Sequence, residues 1–143
     1  MGKATTSHLP LWRDGQRMLV WVEQVVRRFA RYHKYTVGTQ LRTQALTVCR
    51  LVLRAQAVDA HARLEVVNEL HLAAEELKLL LQLGKELQAF RSWAEFEQGV
   101  ELALVIARQA AGWRRALAIA RVPASGKERE GDGARRAEAR QQA

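Results

Sequence analysis

Proline and cysteine are nearly missing from this chain, and acidic residues are scarce over its first 58 positions. Each shortage excludes something. The two prolines, Pro10 and Pro123, lie outside the apolar periodic segments, so about 110 residues between them carry no helix breaker of that kind. The single cysteine, Cys49, rules out an internal disulfide framework and fits a reducing compartment. No stretch of about 18 apolar residues is present, so no transmembrane helix is expected. The N-terminus lacks the order of charge, apolar run and small residues that marks a signal peptide. A cytoplasmic location without membrane attachment is the expectation.

What is present fits one domain. The chain has 143 residues, 48% hydrophobic and 27% charged, enough for one core without a disulfide or metal staple. Its net charge of +8 is unevenly spread. Residues 1–58 hold ten Lys/Arg against two acidic residues, residues 59–121 eight against nine, and residues 122–143 five against four. The excess therefore belongs to the first helical segments, where a one-sided basic surface would attract polyanions.

Apolar periodicity marks four helices. Leu11, Met18, Val22, Val25 and Phe29 line one face of a helix from Leu11 to about Tyr32, widened by Trp12, Leu19 and Val26. Tyr35-Thr36-Val37-Gly38 reads as a short connection with Gly38 as its turn residue. The second helix runs from about Thr39 to Ala57, with Leu41, Ala45, Val48, Val52 and Ala55 as its seam. Asp59 is a candidate N-cap for a third helix, about Ala60 to Leu87, whose inner face holds Val66, Leu70, Ala73, Leu77, Leu80 and Leu87. Ser92-Trp93-Ala94-Glu95 has capping-box form and starts a fourth helix that runs to about Ala120. Early glutamates (Glu95, Glu97, Glu101) and late arginines (Arg114, Arg115, Arg121) in that helix suit the macrodipole.

Residues 1–10 form an N-terminal extension and 11–121 a helical bundle. Past Val122-Pro123, residues 124–143 carry three glycines and mixed charge with no large apolar side chain, which points to a disordered tail over 122–143. Four helices with short connections imply an all-α, antiparallel up-down-up-down bundle. Of the four tryptophans, Trp93 and Trp113 sit on core-like steps. Trp12 and Trp21 occupy opposite edges of the first helix, and a lone bundle hides only one such edge fully.

Nothing points to catalysis. No Glu has a His three residues later, which excludes the di-metal bundle motif, and His61, Glu65 and Glu69 at four-residue steps read as a surface charge pattern. Cys49 lies in an apolar seam without a nearby base and reads as a small core hydrophobe. Gly38 and Gly84 are isolated, so no phosphate loop exists. No cofactor and no metal is expected. The chemistry that the residues do suit is phosphate contact. Arg13, Arg17, Arg27, Arg28, Arg31 and Lys34 follow the first helix and its end, and Arg42, Arg50 and Arg54 lie on the second. Arginine's planar, permanently charged fork donates in pairs to phosphate. On neighbouring helices the two sets would form one basic surface for RNA or DNA, salt-sensitive and weakly sequence-specific.

Two segments add a resemblance. Phe29-Ala30-Arg31-Tyr32-His33-Lys34-Tyr35-Thr36-Val37-Gly38-Thr39-Gln40-Leu41 resembles the basic, aromatic turn between helices 1 and 2 of the accessory variability determinant (Avd) proteins of diversity-generating retroelements. Ala111-Gly112-Trp113-Arg114 resembles the small-Gly-Trp segment of their last helix. The resemblance implies a pentameric, barrel-like homo-oligomer of bundles with a positively charged surface for nucleic acid. It also implies a complex with a reverse transcriptase that copies a template RNA, and no catalytic residues in the accessory chain itself. The alternative is a general RNA-binding four-helix bundle without a polymerase partner, like the related proteins encoded in ribosomal-RNA intervening sequences.

Overall fold

A computed structural model of the chain describes residues 9–141, with side chains described over 10–121. The described residues are all helical apart from short connections. Helix α1 is Leu9–Arg27, α2 a single turn at Arg31–Lys34, α3 Val37–Ala57, α4 Ala60–Glu86 and α5 Trp93–Gln141. The four long helices pack together as a four-helix bundle: α1 lies against α3 and α5, and α4 lies against the same two. Nothing in the fold is described for residues 1–8 of the expected N-terminal extension. The backbone of α5 continues past 121, where a disordered tail is expected, as far as Gln141; side chains beyond Arg121 lie outside the described residues.

The core is built from the expected stripes. Met18, Val22, Val25 and Val26 of α1 meet Leu41, Val48 and Val52 of α3, Val67, Leu70, Leu77 and Leu81 of α4, and Ile106 of α5 in one buried cluster. Seven buried alanines on α3, α4 and α5 let the helices approach closely. The third stripe is corrected near its end: Leu81, not Leu87, is buried, and Leu87 is exposed. Leu80 is half-buried at the edge of the stripe, a step of four from Leu77 reaches the inner face at Leu81, and Leu87 lies just past the last residue of α4.

The first connection differs most from expectation. The first helix ends at Arg27 rather than near Tyr32, and the amides of Arg28 and Phe29 bond to Val25 and Val26 carbonyls three residues back, tightening the last turn. Ala30 is extended, at φ −55° and ψ 148°. The break keeps Phe29 buried and edge-on to Phe90, with centroids 5.4 Å apart. Gly38 is not the turn residue. It lies in the first turn of α3, where a Cβ would fall 2.7 Å from Val26 Cγ1 and 2.9 Å from the His33 carbonyl. Glycine is required there by close approach, not by backbone conformation.

The other helix ends follow local chemistry. Asp59 Oδ1 accepts from the Ala62 amide at 3.0 Å, the expected N-cap of α4. Arg63 then reaches back to the end of α3, donating to the Ala55 and Val58 carbonyls at 2.9 and 2.8 Å. At the end of α4 the Ala89 amide bonds to Gly84 O and the Gln88 amide to Lys85 O, a Schellman pair with Gln88 at φ 59°. Ser92 Oγ accepts from Glu95 N at 3.1 Å, and the Glu95 carboxylate accepts from Arg91 N at 3.2 Å, one residue before the cap.

Candidate nucleic-acid interface

The basic residues of α1 and α3 do not form one evenly exposed sheet of charge. Arg13 and Arg17 are exposed on α1 but lean towards Asp14, 3.9 and 3.7 Å away. Asp14 is the buried acidic residue of the bundle and accepts from Gln109 of α5 at 2.6 Å. Arg28 turns to α5 and pairs with Glu95 at 3.3 Å. Arg42 lies in the α1–α3 seam against Glu23 at 3.2 Å. Arg54 leans across to Glu69 of α4 at 3.9 Å. Arg27, Arg31 and Arg50 are exposed and Lys34 is half-buried, and these four make no ion pair among the described residues.

The partition follows from helix geometry. In α3, Arg50 and Arg54 lie one turn apart on the outer side, and Arg54 reaches across to α4, whereas Arg42 sits at the edge of the buried face beside α1. Edge positions meet whatever acid the next helix offers. The sequence could mark Arg50 as outward from its spacing, but the partners Glu69 and Glu95 come from helices that only the packing brings alongside.

Arg27, Arg31 and Lys34 gather where α1 gives way to α2, together with Tyr32 and Tyr35, 75% and 67% exposed. A second group missed by the sequence reading reaches the same end. Trp93, expected in the core, is 60% exposed. It is the first residue of α5, so no preceding helical turn covers it, and its indole N–H donates to Glu97. Lys85 Nζ stands 5.4 Å from the Trp93 ring centre, and Arg91 is exposed nearby in sequence. The other tryptophans lie inside: Trp113 and Trp21 are buried, and Trp12 is half-buried against the core. Trp21 donates to Gln98 Oε1 at 3.1 Å and its ring occupies the space a Cβ on Gly99 would need.

Cys49 is buried, and burial pushes its thiol pKa up from the ordinary value, away from a thiolate nucleophile. His61 is exposed and its carbonyl accepts from Arg121 at 2.8 Å, while Glu69 faces Arg54. No helix among the described residues is long and apolar enough to cross a membrane. No protein-family model, curated protein or solved structure matches the chain.

Proposed function

We propose that this protein is a non-catalytic subunit that binds RNA or DNA through phosphate contacts from the α1–α3 side of its bundle. The observation that carries this reading is the set of cations without an acidic partner among the described residues, Arg27, Arg31, Lys34 and Arg50, in a segment of the chain with ten basic residues and two acidic ones. Folded chains ordinarily intersperse charges of both signs on such faces, so a stretch left unneutralised is available to a polyanion.

The bundle is proposed to run up-down-up-down. Cross-helix pairs support that order. Glu23 and Val26 lie opposite Arg42 and Gly38, His61 and His71 opposite Arg121 and Arg114, and Asp14 and Arg28 opposite Gln109 and Glu95. In each case numbers rise on one helix as they fall on the other.

The resemblance to Avd proteins extends the proposal to a pentameric assembly and a reverse-transcriptase partner. Exposed Leu72, Leu79 and Leu83 on α4 support association, because large apolar side chains spaced along one helix gain from being covered. A polymerase partner rests on the resemblance alone.

The test is a double charge reversal. Arg27→Glu with Arg31→Glu is expected to weaken binding to a structured RNA at least tenfold at moderate salt and to leave helicity unchanged, read by fluorescence anisotropy and circular dichroism. Undiminished binding would remove this surface from the proposal.

A further inference from the structure

The end of the bundle that carries Arg27 to Lys34, with Tyr32 and Tyr35 among and beside them, also carries Lys85, Arg91 and Trp93, which come fifty or more residues later in the sequence. Phe29, between α1 and α2, meets Phe90, between α4 and α5, and Phe90 in turn lies 5.9 Å from Phe96 and 6.1 Å from Trp21. The Arg28–Glu95 ion pair closes the same seam from outside. This aromatic layer fixes the two connections side by side. Each connection carries exposed rings with cations close by: Tyr32 and Tyr35 with Arg27, Arg31 and Lys34 on the first, and Trp93 with Lys85 and Arg91 on the second, the three rings 75%, 67% and 60% exposed.

Burial does not account for those three rings. The fold uses only part of them: Trp93 lies 5.2 Å from the Phe96 ring and donates to Glu97, yet it is 60% exposed, and Tyr32 and Tyr35 are more exposed still. Interleaved rings and cations do suit one class of polymer. Unpaired bases stack on aromatic faces while the intervening phosphates are neutralised, and any base will serve because every base has a π-face. A duplex cannot use the rings, since its bases are already stacked, and meets the cations only through its backbone. Lys85, which also pairs with Glu86 at 3.4 Å, stands 5.4 Å from the Trp93 ring centre and so places a cation beside that platform.

We propose that this end of the bundle is a stacking site for single-stranded nucleic acid, with Trp93 and Tyr32 as base platforms, Tyr35 beside them, and Arg31, Lys85 and Arg91 as phosphate contacts. The site rests on the proposed basic surface and sharpens it, adding residues from α4 and α5 and preferring unpaired strands.

The experiment compares two labelled RNAs by anisotropy at low salt, an unstructured 20-residue oligouridylate and a 20-base-pair duplex. Trp93→Leu with Tyr32→Leu is expected to weaken oligouridylate binding about tenfold or more and leave duplex binding unchanged. Trp93→Phe with Tyr32→Phe, which keeps a ring at each position, is expected to retain most of the single-strand affinity. Binding of oligouridylate by the leucine variant as tightly as by the unchanged protein overturns the stacking site, as does an equal loss for both RNAs. In both of those cases the basic surface stands, because the unchanged protein still binds. If the unchanged protein binds neither RNA, the basic-surface reading fails and takes the stacking site with it.

Discussion

At Gln88 the chain accepts a conformation that its residue type resists. With φ at 59° this side chain sits in the left-handed region, in the position of the Schellman motif that glycine usually fills. Its side chain is exposed and makes no hydrogen bond among the described residues, so nothing visible offsets the strain. Gln88→Gly is expected to stabilise the protein by about 0.5–1 kcal/mol. A thermal melt would show a rise of about 2–5 °C. An unchanged or lower Tm would mean that the Gln88 side chain contributes something to the fold that its contacts do not reveal. Gly38 is the opposite case. Its φ is ordinary, and the demand for glycine comes from Val26 and the His33 carbonyl on the facing side. The sequence marks Gly38 as a turn residue and gives no such sign at Gln88; only the fold shows which backbone is strained and which is crowded.

At the level of elements, helix ends decide where the chain turns. Asp59 and Ser92 satisfy amides at the starts of α4 and α5, and both caps are legible in the sequence because capping is local. The end of α3 is held differently. Its last carbonyls accept from Arg63, a residue of the next helix. Removing those donors while keeping the apolar stem isolates their contribution. Arg63→Met is expected to cost about 1–2 kcal/mol, because two charge-assisted bonds in a half-buried site are lost. Urea unfolding should show a lower midpoint with the same slope. A midpoint equal to that of the unaltered protein would show that water replaces the guanidinium without penalty. The break after Arg27 belongs to this scale too. The stripe of α1 runs on through Phe29 in the sequence, so periodicity alone extends the helix, whereas Phe90 holds the Phe29 ring edge-on in a seam where the chain leaves its helical path.

For the whole molecule the governing quantity is where unneutralised charge ends up. Ion pairing consumes part of the basic excess: Arg28, Arg42 and Arg54 each meet a glutamate, and Arg13 and Arg17 share Asp14. Four of the nine expected contact residues have no acidic partner among the described residues. If those four release counterions from a single strand, log affinity should fall against log salt with a slope of about −3. Anisotropy titrations between low and moderate salt would measure it, and a slope near zero would sink the phosphate mechanism whatever the affinity. Exposed leucines on α4 are the other whole-molecule feature, since they mark where a further protein surface would bury apolar area.

The helical class, the four long helices, the inner faces of α1 and α3 and the caps at Asp59 and Ser92 were determined by sequence, because each depends on periodicity or on contacts within one turn. The concentration of positive charge in the first 58 residues was equally plain. Tertiary structure decided the rest. Trp93 shows why: it falls on a core-like step, yet it begins α5, where no preceding turn covers it, and it stands exposed. Which arginines are neutralised depends on Glu69 and Glu95, carried by other helices. The gathering of Tyr32, Tyr35 and Trp93 at one end depends on Phe29 meeting Phe90 across 61 positions of chain. Such contacts arise from packing between distant segments, and no local pattern encodes them.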